Sequence, residues 1–105
     1  MVVLVNQFSA SASEVLSGAL QDHKRAILIG MPTFGKGSVN LPQPLNNGAG
    51  LYLTIGRWHS PNGHLIEGRG LKPDIWVEAG DIVDGDPQLE RALEYLGAQL
   101  GVESR

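Results

Sequence analysis

The chain has 105 residues, 42% of them hydrophobic, with a formal net charge of −3 at pH 7. That length holds one domain at most, and the acidic balance argues against a nucleic-acid surface. No apolar run is long enough to span a membrane, and the lack of cysteine excludes thiol catalysis and disulfides. Met1 leads directly into strand-like residues with neither a basic region nor a cleavage site, which predicts a chain cut from a longer one rather than one with a secretory leader.

Residues 2–6 read as a buried strand, and residues 12–24 as a helix whose Val15, Leu16, Ala19 and Leu20 recur at helical spacing. Residues 26–30 make a second strand, set parallel to the first by a right-handed crossover. Residues 38–41 and 51–55 predict an antiparallel hairpin around Asn46-Asn47-Gly48, and Pro61-Asn62-Gly63 closes the next turn. Residues 80–86 read as an acidic linker. Asp86-Pro87 then opens a terminal helix, with Asp as cap and Pro at the first helical position. Its stripe of Leu89, Ala92, Leu93, Leu96 and Leu100 is the ordinary signature of a helix docking on a sheet. The expected class is mixed α/β: a strand-helix-strand unit, a hairpin and a terminal helix.

Two residues carry chemistry. Ser11 stands in Ser9-Ala10-Ser11-Ala12-Ser13-Glu14 just after the first strand, and Lys36 in Thr33-Phe34-Gly35-Lys36-Gly37 just after the second. A hydroxyl at a helix start and a lysine in a glycine turn suit a Ser/Lys hydrolase, which needs a nucleophile and an amine to take its proton. Each has a plainer interpretation. Ser11-x-x-Glu14 is also a capping box, and Lys36 alone is a loop lysine. Helix-start N–H groups stabilise a developing oxyanion as readily as they bind a cap, so the two geometries overlap at Ser11. A basic Lys36 requires its pKa to fall from about 10.4 to about 7.4, about 4 kcal/mol of differential stabilisation. Desolvation against Phe34 and Ile29 is the expected source, with Gly35 and Gly37 allowing close packing.

Other readings of these residues fail on their own chemistry. Residues 30–36 fit the first seven positions of a phosphate-binding loop, but Gly37 stands where a magnesium-binding Ser or Thr belongs. Pro42 and Pro44 prevent the helix that must follow, so no nucleotide is expected. His23, His59 and His64 lack the spacing and companion ligands of a metal site, and no metal or other cofactor is expected. About three helical turns, or about 16 Å, separate Asp22 from Ser11, too far for direct contact. Asp22 is expected to fix the helix end through Lys24 or Arg25.

Taken in order, residues 3–6, Ser9-Ala10-Ser11-Ala12-Ser13-Glu14, Gly18-Ala19-Leu20-Gln21-Asp22, Thr33-Phe34-Gly35-Lys36-Gly37, Ser60-Pro61-Asn62-Gly63 and residues 68–75 resemble the carboxyl-terminal processing peptidases, or tail-specific proteases. The likeness covers most of the chain. It implies a crotonase-like core, Ser11 as nucleophile in preference to Ser9 and Ser13, and Lys36 as general base. It also implies the Ala12 N–H as one oxyanion donor. Asn40 stands where the family often carries a Gln that orients the lysine, the same amide on a shorter arm.

The resemblance further implies a protein or peptide substrate cut near its carboxyl terminus, and an extracytoplasmic setting such as a bacterial envelope or chloroplast lumen. By the same likeness, residues 1–105 are part of a peptidase domain, without the upstream segment that supplies the second oxyanion N–H and without a PDZ domain. The expectation for the isolated chain is therefore an inactive, self-associating fragment. The competing expectation is a noncatalytic module that holds an extended peptide along a sheet edge.

Overall fold

A computed structural model describes residues 1–80 and 85–101. Strands β1 (Val2–Val5) and β2 (Ile27–Gly30) flank helix α1 (Ala12–Asp22), and a ribbon follows from β3 (Ser38–Pro44) and β4 (Gly50–Arg57). Strand β5 (Ile75–Trp76) and helix α2 (Pro87–Gln99) complete the order. The strands form a parallel sheet, β1-β2-β5, and a separate antiparallel pair, β3-β4. The mixed α/β class and the parallel pairing of the first two strands agree with the sequence reading. β5 was not foreseen, because two residues carry no periodicity. It is held from outside itself, by Leu28 N–H on the Asp74 carboxylate at 2.7 Å and by Asp74 N–H on the Leu28 carbonyl.

Helix α1 stops two residues before its expected end, since Lys24 turns to φ 56°, a conformation that breaks the helical path. Its orientation also differs from expectation. Glu14, Ser17 and Gly18 face inward, whereas Leu16 is 62% exposed. The small face admits Leu71, which touches Gly18, and brings Glu14 inside.

The same correction applies to α2. Asp86 caps it at Gln88 and Leu89 N–H as predicted. Ala92 is buried, but Leu89, Leu93 and Leu100 of the expected stripe are exposed. The helix lies against β1 and β2, and Gln88 fixes it there by donating Nε2–H to the Val77 carbonyl at 2.8 Å. Of the proposed linker, residues 81–84 lie outside the described residues.

The core is small and sits under the sheet: Val5, Leu28, Ile66 and Leu71, with Val3 against them. The ribbon stands away from it. Principal extents are 64 × 34 × 17 Å and the radius of gyration is 17.6 Å, against about 13 Å for a compact domain of this length. The ribbon is longer than the sequence suggested because it tolerates Pro42 and Pro44. In a two-stranded ribbon every strand is an edge, so a proline with no N–H to donate breaks no central ladder. A bulge falls between Val39 and Asn40.

Candidate functional site

Strand β1 runs into a tight turn and three serines, Ser9, Ser11 and Ser13. Ser9 Oγ accepts from Asn6 N–H at 3.1 Å, and Ser13 Oγ donates to the Ala10 carbonyl at 2.7 Å. Ser11 is exposed and takes φ 59°, ψ −120°, a region costly for a residue with a Cβ. Its side chain is set toward the Glu14 N–H in capping-box fashion, that N–H donates to the Ser11 carbonyl at 2.9 Å, and Ser11 N–H closes the box on the Glu14 carboxylate. A strained strand-to-helix turn that lifts a hydroxyl into the open is the geometry of a nucleophile elbow. Ala12 opens α1, so its N–H is one of the helix-start donors with no intrahelical acceptor.

Glu14 has the most constrained position in the site. It is fully buried, at 0% exposure, and accepts four hydrogen bonds. Oε1 receives Ser11 N–H and Lys36 N–H, each at 2.9 Å. Oε2 receives the Thr33 hydroxyl at 2.6 Å and Gly35 N–H at 2.8 Å. Four donors fill the lone-pair sites of one carboxylate. Because Ser11 and Lys36 share an oxygen, their backbone nitrogens lie at most 2 × 2.9 = 5.8 Å apart. The Ser and Lys loops also meet directly, where Phe34 N–H donates to the Ser9 carbonyl at 2.9 Å.

The lysine loop is wedged against residues 66–70. Gly35 has φ 93°, and a Cβ there would lie 3.0 Å from Gly70 N; one on Gly37 would lie 2.7 Å from Glu67 N and 2.8 Å from Ile66 Cβ. The close packing expected of these glycines is therefore present, although the expected desolvation of Lys36 is not. Lys36 is exposed and Phe34 is 66% exposed, so the loop buries its backbone and the Thr33 side chain while Phe34 and Lys36 face outward.

Asn40 lies at the bulge of the ribbon, where its Oδ1 accepts from Thr54 Oγ1 at 2.8 Å; among the described residues its amide nitrogen makes no hydrogen bond. Asp22 does not pair with Lys24 or Arg25. Its side chain, 5% exposed, accepts Asn62 N–H at 2.9 Å and lies 3.5 Å from His64 Nδ1, tying the end of α1 to the turn after β4. Burial pushes the Asp22 carboxyl up, but the Ser60 hydroxyl, Asn62 N–H and His64 together outweigh it and leave its pKa below the usual value.

The sequence reading gave Glu14 only a capping role and Thr33 none. The available signal was the i, i+3, i+4 set of Glu14, Ser17 and Gly18, a small polar face too narrow for solvent and too polar for an ordinary core. Among the described residues no His, Cys, Asp or Glu group is arranged to hold a metal ion, and no helix is long and apolar enough to cross a membrane.

Residues 1–77 match the family model described as peptidase family S41. A Synechocystis protein named carboxyl-terminal-processing protease is 50% identical over 97% of this chain and 25% of its own length. An Arabidopsis thaliana protein named carboxyl-terminal-processing peptidase 3, chloroplastic, is 49% identical over 78% of this chain and 16% of its own. The solved photosystem II D1 C-terminal processing protease superposes with a TM-score of 0.70 at 45% identity, over 73% of this chain and 20% of that one. The chain thus spans a quarter or less of the length of these relatives.

Proposed function

Because the chain belongs to peptidase family S41, we propose that it carries the Ser/Lys half-site of a serine endopeptidase that cuts proteins or peptides near their carboxyl termini. One observation carries the reading: the backbone N–H groups of the strained, exposed Ser11 and of Lys36 converge on one buried carboxylate oxygen, which brings the two loops together. In this mechanism Ser11 Oγ attacks the scissile carbonyl carbon and its proton passes to neutral Lys36 Nζ, whose desolvation comes from the bound substrate and the rest of the polypeptide, since the side chain is exposed in this chain. The Ala12 N–H stabilises the oxyanion, worth about 2.7 to 4 kcal/mol for one such donor. Collapse of the tetrahedral intermediate expels the amine, which takes the proton from Lys36. The now neutral Lys36 Nζ takes a proton from water, which attacks the acyl ester, and that proton passes to Ser11 Oγ as the carboxylic acid leaves.

Asn40 is assigned the orienting role through its uncommitted amide nitrogen. The names of the relatives support the substrate class; the extracytoplasmic setting, a bacterial envelope or chloroplast lumen, has as support the word chloroplastic in one of those names, which points to a chloroplast. In the full-length polypeptide, Ser11→Ala and Lys36→Ala are each expected to reduce cleavage of a tail peptide severely, with the double variant hardly worse and Asn40→Ala milder. Near-normal turnover by either single variant contradicts the assignment and favours a noncatalytic peptide-binding module.

A further inference from the structure

We infer that Glu14 is a positioning residue that fixes the Ser11 loop and the Lys36 loop in one register, with Thr33 as the second member of the clamp. The inference rests on the Ser/Lys reading and deepens it. A helix cap needs only the bond from Ser11 N–H. The other three donors, Lys36 N–H, Gly35 N–H and the Thr33 hydroxyl, all come from beyond the helix, after β2. They converge on a side chain with no exposed surface, where the low dielectric strengthens every bond and makes each lost one costly.

The hydroxyl of Thr33 is committed at both ends. It accepts Leu71 N–H at 2.7 Å, so its single proton goes to Glu14 Oε2. The chain from Leu71 through Thr33 therefore runs from the core cluster to Glu14 Oε2, on the carboxylate whose other oxygen, Oε1, receives Ser11 N–H and Lys36 N–H. Reacting groups lose rate steeply when misplaced by about an ångström, so the register of these two loops sets the rate of attack.

The geometry allows no conservative replacement at position 14. Glutamine keeps the shape but turns an NH2 donor toward two existing donors at one of the two oxygen sites. Aspartate is one methylene too short to reach all four. At position 33 the outcome reverses, since serine retains the bridging hydroxyl and valine removes it at nearly the same volume.

The experiment measures kcat and KM on a tail peptide, with thermal unfolding, for full-length Glu14→Gln, Thr33→Ser, Thr33→Val and Ser11→Ala. Folded Glu14→Gln is expected to lose about tenfold or more in kcat with KM changed by less than about threefold, the pattern of a lost transition-state alignment. Thr33→Val should fall in the same way, and Thr33→Ser should stay within about threefold of wild type. If Ser11→Ala is inactive while Thr33→Val, or a folded Glu14→Gln, keeps wild-type kcat, the clamp is overturned and the Ser/Lys reading survives. If Ser11→Ala is itself active, the Ser/Lys reading fails and the clamp with it.

Discussion

Around Glu14, polar groups are buried and satisfied; along the β3-β4 ribbon, apolar groups are exposed and held by little beyond the strand ladder. The first region gathers four donors from two loops onto a side chain with no exposed surface. The second leaves Leu41, Leu51, Leu53, Ile55 and Tyr52 between 44% and 77% exposed. An isolated two-stranded ribbon is marginal in water. The contrast separates a register fixed within this chain, that of the Ser and Lys loops, from a ribbon whose apolar side chains it leaves uncovered.

The largest effect expected from breaking this comparison by a single methyl group is at Gly37. Gly37→Ala drives a Cβ into Glu67 N and Ile66 Cβ, and is expected to cost about 1–3 kcal/mol and to reduce turnover by displacing Lys36. Thermal unfolding together with kcat checks it; a variant as stable and active as wild type contradicts the wedged loop.

A smaller effect is expected at the far end of α1. The Asp22 carboxyl is depressed in the folded state, so its contribution is present above the unfolded value of about 3.9 and is lost as pH falls through the lower folded value. Asp22→Asn should therefore be less stable than wild type near neutral pH, with the difference closing below about pH 3.9. Denaturation curves across that range test the sign, and a difference that widens in acid contradicts it.

The smallest stability change is expected in the ribbon, where Tyr52→Thr and Ile55→Thr should each shift unfolding by no more than about 0.5 kcal/mol. Their effect should fall on association. We propose that the isolated 105-residue chain self-associates and lacks activity, and that these substitutions reduce the assembly size seen by light scattering. A clean monomer at high concentration contradicts the association.

The strand-helix-strand order and the hairpin were legible because apolar periodicity and turn residues encode them locally. Helix orientation was not. Periodicity marked Leu16 and Leu93 for burial, yet both are exposed, because Glu14 and Gly18 on one helix and Gln88 and Ala92 on the other make the closer contacts. Ser11 and Lys36 stood out in their motifs, and the structure brings their loops together. The carboxylate joining them was hidden in a capping signature, since Ser-x-x-Glu reads the same whether the Glu serves one donor or four.

The central claim is that Ser11 is the reactive hydroxyl and Lys36 its base, and labelling of the full-length protein with a serine-directed fluorophosphonate, mapped by peptide mass spectrometry, tests it most directly. One adduct is expected, on Ser11, formed far more slowly in Lys36→Ala and absent in Ser11→Ala. An adduct on Ser9 or Ser13, or labelling of Ser11 at the same rate without Lys36, would contradict it.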